Sequence, residues 1–399
     1  MLATVPRAAP RAARRALTTA TALRAPLAPP YAHANRSALA PPYTHPLASP
    51  VRDEDRLKAP YAFSVPRNSQ TATGPSSREW VAAVFDTAAG REWAMSAWES
   101  ALVELAEQPA TAPEIPFQAL TAVLADPNMQ SLVARTGAVV VRDVVRDALA
   151  EAWAKELIEA RAARGHATFY NQAQVDARAD PSVLSAAGQL LRALVPEVAN
   201  AETAYVRVDA AAAGPSSSNW TGKSVWAVDN TTAGFTPVHA HLTLQRTDVA
   251  VPTSTAAATY ALLRPFFAPK ASRISFYHAE DYLNGKNWQL RQSATGPDYD
   301  APLVHIRPAA VSLAPGDVLI THAGLNVAAA DTAGLVLPVH PLPATEGNAQ
   351  FVKLQRASFE AGVPPPHAET ADSPIALEEA GDASMIASWG GRRAMGYGF

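Results

Sequence analysis

The run Ser312–Asp331, SLAPGDVLITHAGLNVAAAD, constrains this chain more than any other stretch. Pro315-Gly316-Asp317 is a turn signal, because proline fixes φ and glycine permits positive φ. Val318–His322 then alternates with the two-residue period of a strand. Val318, Ile320 and His322 share one face, and Leu319 and Thr321 share the other. The strand ends on a histidine, and Gly324-Leu325-Asn326 follows where a second ligand-type side chain would be wanted. The run therefore points to a β-rich core that offers one polar residue at a strand end.

A chain of 399 residues is long enough for two or three domains and a sizeable core. It has no cysteine, which excludes disulfides, thiol nucleophiles and cysteine-ligated zinc or iron–sulfur sites. Charge is unevenly spread. Residues 1–52 hold seven arginines (positions 7, 11, 14, 15, 24, 36 and 52) and no acid, so all 36 acidic residues fall in the remainder. An acidic body argues against nucleic acid as partner. No apolar run approaches the roughly 18 residues of a membrane span.

Met1–Leu23 is rich in Arg, Ala, Thr and Leu, and it can form a short basic amphipathic helix. This is the composition of a mitochondrial transit peptide and lacks the apolar h-region of a secretory signal. The expectation is a mitochondrial matrix protein, with the cytoplasm as the alternative if the stretch carries no address. Ala28–His33 and Ala40–His45 repeat an Ala-Pro-Pro-Tyr-x-His pattern and read as a duplicated linker.

The expected organisation is a leader over 1–70, a mainly helical part over 75–200, a β-rich core over 201–367 and a loose tail over 368–399. Helices are predicted over Ser77–Glu107, 118–125, Asp147–Arg164 and 182–195, the last opened by Pro181 with Asp180 as its cap. Gly137–Arg142 reads as a short strand between them. Tyr170, Gln174 and Arg178 read either as a substrate-side wall or as a helix surface with internal hydrogen bonds. The second reading is preferred.

From Glu202 the period changes to two. Tyr205–Asp209 alternates, as does Val238–Arg246, where Val238, Ala240, Leu242 and Leu244 face one way and His239, His241, Thr243 and Gln245 the other. Thr259–Phe267, Asn287–Leu290 and His305–Pro308 complete a series of short segments separated by turns. Such a series suggests a jelly roll or related sandwich.

With these segments on the page, the chain resembles the YbiU-like proteins of bacteria and fungi, a domain-of-unknown-function family, of which it looks like a fungal-type member. The resemblance rests on Gly137–Arg142, Tyr170–Arg178 with Pro181, Ala258–Phe267, Pro315-Gly316-Asp317, Pro338-Val-His-Pro341, Asn348–Arg356 and Arg393–Gly396. It implies an α+β fold with a double-stranded β-helix (jelly-roll) core and a helical N-terminal part, as in Fe(II)/2-oxoglutarate oxygenases. It also implies Fe(II) and 2-oxoglutarate as cofactors. The departures are informative. Where the family reads Gly-Pro-His-x-Asp-Gly-Gly, this chain reads Gly214-Pro-Ser216-Ser-Ser218-Asn-Trp220, and the distal ligand falls near Asn326 or Val327, neither of them a histidine. A neutral hydroxyl does not replace the two imidazoles and carboxylate of a non-haem iron site. The expectation is that the triad, and with it iron and 2-oxoglutarate, has been lost.

A replacement site is conceivable from the residues themselves. His239 and His241 lie two apart on one strand face, and His322 on another strand could join them. Three neutral imidazoles can hold Zn²⁺ or Fe²⁺, and Asp229 or Asp248 could add a carboxylate. Three functions stay open: a degenerate oxygenase relative that binds a small molecule or a protein, an active metal-dependent oxidoreductase using the three histidines, and a structural subunit. The preferred reading is the first, a pseudoenzyme.

Overall fold

The computed structural model describes residues 87–106, 111–165, 168–194, 204–213, 236–251, 253–267, 275, 277–282, 308–322, 325, 328–329, 334–368, 378 and 380–398. The leader, the duplicated linker, Ser216, Ser218, Asp229, Asn287–Leu290, His305 and Asn326 lie outside them.

Helix α1 is Ala88–Ala106, followed by strand β1 (Glu114–Pro116), a 3₁₀ turn and the short helix α2 (Leu120–Leu124). Helix α3 (Pro127–Thr136) starts with proline in its first turn and Asp126 accepting the Asn128 N–H, and ends at Gly137 with φ of 64°. Strand β2 (Ala138–Arg142) leads to α4 (Asp147–Arg164), which has an acid in its first turn and arginines in its last, as the helix dipole favours. Helices α5 (Gln172–Ala179) and α6 (Pro181–Leu194) follow, then strands β3 (Ala204–Val206), β4 (Ala212–Ala213), β5 (Val238–Thr243) and β6 (Thr247–Val251). Helices α7 (Thr255–Phe267) and α8 (Ala279–Tyr282) precede β7 (Ala309–Leu313), β8 (Val318–His322), β9 (Ala328–Ala329), β10 (Leu335–Pro338) and β11 (Pro341–Pro343). Helices α9 (Glu346–Ala361) and α10 (Trp389–Ala394) close the chain. The class is α+β.

Among the described residues the main sheet has six strands in the order β1-β2-β8-β5-β10-β4. Only β1 and β2 are parallel; the other neighbours are antiparallel. Two strands from the helical N-terminal part thus sit in the same sheet as the β-rich part. A second sheet orders as β7-β6-β9, and β11 pairs with β3.

The alternation read from the sequence sorts the main sheet into two faces. Val139, Val141, Val238, Ala240, Leu242, Val318 and Ile320 share one core with Trp153 and Leu157 of α4 and Leu190 of α6. Ala138, Val140 and Leu319 pack on the other face, against Val249 and Val251 of β6 and Val311 and Leu313 of β7. A central sheet covered on both sides explains why every residue of β5 and β8 is buried.

The Pro315-Gly316 turn forms as expected, with Gly316 at φ of 84° and no room for a Cβ against the Val145 carbonyl. Asp317 is structural: its carboxylate takes the Arg142 guanidinium and the N–H groups of Asp143 and Ala314.

One segment differs from expectation. Thr259–Phe267, read as strand-like, belongs to helix α7. The Ala256-Ala-Ala258 start supplies strong helix formers just upstream of the segment. Trp98 of α1 then stacks on Tyr260 and Phe267, with ring centroids 4.9 and 5.3 Å apart, so the helix is held by tertiary packing. The C-terminal stretch, read from the sequence as a loose tail, places Ile386 and Met395 in one buried cluster with Tyr170 and Phe359.

Candidate functional site

Several buried polar residues, His239, His241, Thr243 and Thr321 among them, lie on one side of the β5–β8 pair. Register settles where each expected site residue goes. His239 pairs with Thr321, His241 with Leu319, and Val238 with His322. Directly opposed residues of an antiparallel pair project to the same face. His239 and His241 therefore lie with Thr321 on one face, and His322 lies with Val238 on the other. The structure brings together two of the three histidines expected to form a metal site and places the third across the sheet.

A histidine that was not singled out takes the third place. His340 follows β10, and its ring centroid lies 4.8 Å from that of His239 and 4.9 Å from that of His241. The Ala240 N–H donates to His340 Nδ1 at 3.1 Å, so this imidazole stands in for a backbone acceptor in the ladder beside β5. That bond fixes the neutral tautomer, with the proton on Nε2. Nε2 lies 3.9 Å from Asp209 Oδ2.

Asp209 is the hub. Arg207 Nε donates to its Oδ2 at 2.7 Å, and His367 Nε2 meets its Oδ1 at 3.1 Å. The remaining Arg207 arm donates to the Thr236 hydroxyl at 3.2 Å. Arg207 and Asp209 reach the site because β3 runs on past Val206, and Gln355 of α9 clamps this backbone. Its amide nitrogen donates to the Val206 carbonyl at 3.0 Å, and its amide oxygen accepts the Val208 N–H at 2.8 Å. Arg178 of α5 ties down the same segment from below, donating to the Asp209 and Phe169 carbonyls. Arg178 makes the internal hydrogen bonds expected of it but is buried and not on a helix surface; burial lowers its pKa to about 10, opposed by Asp209.

Electrostatics follow from burial. Burial pushes His239 well below the usual histidine range; Arg207, His241 and, from across the sheet, His322 add to that, while Asp209 opposes it. His241 is pushed down to about 3 and His340 well below its ordinary value, again by burial first. His322, on the other face, is pushed down to about 4 by burial. Burial alone would raise Asp209, but Arg207, His367 and His340 hold it well below the usual carboxylate range. At neutral pH the cluster is thus a set of neutral imidazoles beside a paired carboxylate and guanidinium. Such a set accepts and donates hydrogen bonds in a dry setting, where each bond counts for more than in water.

The donor set bears on iron. Among the described residues no group of three His, Asp or Glu side chains is placed to hold a metal ion. The carboxylate nearest the imidazoles already serves Arg207 and His367, and the guanidinium beside it opposes a dication. These residues do not fit a two-imidazole, one-carboxylate site. Asp248 is exposed on β6 and His278 is exposed beside α8.

Sequence reasoning missed Arg207, Asp209, His340 and His367. Arg207 and Asp209 had a signal, two opposite charges two apart on an alternating strand. His340 had a weaker one, a histidine between Pro338 and Pro341 in a run of apolar residues. His367 had none.

Comparison with known proteins bears on the scaffold. A family model described as Gig2-like matches residues 231–397. No curated protein sequence matches the chain. Among solved structures, it is similar to a Salmonella typhimurium LT2 protein named as a candidate oxidoreductase, at 17% identity and TM-score 0.54 over 79% of this chain and 93% of that one. It is also similar to GIG2 (GlcNAc Inducible Gene 2, DUF1479) of Candida albicans, at 15% identity and TM-score 0.54 over 76% of this chain and 85% of that one. The hypothetical protein JW0805 of Escherichia coli matches at 15% identity and TM-score 0.53, over 81% and 95%. At such identities these likenesses concern the fold. No described helix is long and apolar enough to cross a membrane.

Proposed function

We propose that this chain is a Gig2-like protein on the double-stranded β-helix scaffold of Fe(II)/2-oxoglutarate oxygenases, that it has given up the iron centre, and that it serves as a binding module for a small polar molecule. One observation carries the reading. The only carboxylate beside the buried imidazoles among the described residues, Asp209, has Arg207 on one oxygen and His367 on the other. A two-imidazole, one-carboxylate iron site needs a carboxylate oxygen free for the metal, and both oxygens of Asp209 are taken by protein donors. A site built for a polar ligand holds such a carboxylate as a fixed counter-charge. Ser216, Ser218 and Asn326 at the expected ligand positions support the same reading.

The test uses the full chain without a histidine tag, loaded anaerobically with Fe(II), desalted and analysed for iron and zinc by mass spectrometry. Background metal in a folded, monodisperse protein is expected. Near-stoichiometric metal that disappears in His239→Ala or His241→Ala would overturn the proposal. It would favour the second reading, an active metal-dependent oxidoreductase, for which the packing of His239, His241 and His340 is the specific observation. The arginine-rich, acid-free N-terminus supports a mitochondrial address. A fluorescent fusion that stays cytosolic would remove that part.

A further inference from the structure

The helix-covered face of the main sheet carries a second feature, separate from the histidine cluster on the opposite face. A cleft of about 370 Å³ opens between the C-terminal half of α4, the start of α5 and the edge formed by β10 and β4. Its apolar wall is Leu157, Ile158, Ala211 and Leu335, and its polar groups include Gln174 and Arg161. Gln174 is fully buried, and its amide nitrogen donates to the Thr168 carbonyl at 2.7 Å. That bond identifies which end of the amide is oxygen. The oxygen, Oε1, is buried with no hydrogen-bond partner among the described residues. A buried acceptor without a partner costs on the order of its desolvation penalty, and its persistence at a cleft wall calls for a donor. Arg161 supplies the opposite chemistry, an exposed guanidinium on the last turn of α4. Beside it α4 ends at Gly165, also in the cleft wall, where the last carbonyls of the helix favour donors over acceptors.

We propose that this cleft binds a small carboxylic acid that carries an amino or hydroxyl donor on an aliphatic body. Arg161 takes the carboxylate, Gln174 Oε1 takes the donor, and Leu157, Ile158 and Leu335 take the aliphatic part. The volume lies within the range of small-molecule sites and suits a branched acid of leucine size. Ile158 is half exposed on α4 and supplies aliphatic surface to the cleft wall.

The experiment is titration calorimetry of the full chain with four probes that share one body: L-leucine, 2-hydroxy-4-methylpentanoate, 4-methylpentanoate and leucinol. Saturable binding of leucine or its hydroxy analogue is expected, and which of the two binds tells an amino from a hydroxyl donor. Removing the donor (4-methylpentanoate) or the carboxylate (leucinol) should weaken binding about tenfold each, the worth of one hydrogen bond or exposed charge pair. Arg161→Ala should weaken the acids about tenfold and leave leucinol unchanged. Gln174→Leu should abolish the preference for leucine over 4-methylpentanoate. Gln174 is buried, so misfolding is the risk of its variant; Arg161 is exposed, and its variant keeps the test decisive. No saturable heat from either donor-bearing acid up to about 10 mM, or equal affinities in the wild type and Arg161→Ala, would overturn the proposal. Neither result bears on metal binding at the histidine cluster, so the two proposals fail separately.

Discussion

Strands β5 and β8 present two faces made from the same eleven residues, one aliphatic except for His322 and the other polar except for Leu319. On the helix side Val238, Ala240, Leu242, Val318 and Ile320 close a dry aliphatic core. On the other side His239, His241, Thr243 and Thr321 are equally buried yet polar. Burial of the first face drives folding, since each aliphatic side chain removed from water contributes about 1.5–3 kcal/mol. Burial of the second opposes folding unless every polar group finds a partner. The comparison teaches that the polar face is not a by-product of alternation. It is maintained against a stability cost, by imported partners from the segment after β3, the segment after β10 and the turn at His367.

The sharpest way to break the comparison is to unbalance the polar face. Arg207→Met leaves Asp209 buried with one partner fewer, and a loss of about 3–5 kcal/mol is expected in urea unfolding, the cost of an uncompensated buried charge. A loss below about 1 kcal/mol would mean that Asp209 is solvated and the cluster open. On the aliphatic face, Ile320→Ala removes a fully buried side chain. It should cost about 3 kcal/mol, with no change in the pH dependence of stability.

Acid sharpens the difference between the faces, because only one of them titrates in a cluster. His241 is an ordinary histidine near 6.5 when unfolded and falls to about 3 when folded. Its stabilising effect is therefore fully present above pH 6.5 and is lost as pH falls from there toward 3. Between pH 7 and pH 5 that amounts to about 2 kcal/mol for this one residue. Unfolding free energies from denaturant titrations at the two pH values should differ by about that much less in His241→Phe than in the wild type. An unchanged difference would show that His241 is not buried neutral.

The smallest expected effect has the opposite sign. The Thr243 hydroxyl is buried without a hydrogen-bond partner among the described residues. Thr243→Val keeps the shape and removes the unsatisfied group, so a gain of about 0.5–1 kcal/mol is expected from thermal unfolding. A loss would reveal a partner for the hydroxyl and would enlarge the polar site.

The strands were legible because their period is local. The alternation of Val238–Thr243 and Val318–His322 and the Pro315-Gly316-Asp317 turn follow from side-chain direction and φ preferences, and the structure has all three. Helix α4 was likewise readable to its ends, Asp147 and Arg164. Helix α7 was not, because its strand-like aliphatic and aromatic residues are held in a helix by Trp98, about 160 positions earlier in the chain. No local pattern contains that contact.

For the site, the sequence by itself determined which residues share a strand face: His239 with His241, and His322 with Val318 and Ile320. Alternation is a property of the backbone and needs no neighbour. It could not decide which faces meet. An antiparallel register shifted by one residue would have put His322 beside His239. The register that forms pairs His322 with Val238, because that choice sets Val318 and Ile320 opposite Leu242 and Ala240 in the aliphatic core. Only the tertiary structure brought Asp209, His340 and His367 to the histidines of β5. They lie up to 158 positions apart, and what assembles them is a charge that cannot be buried without partners.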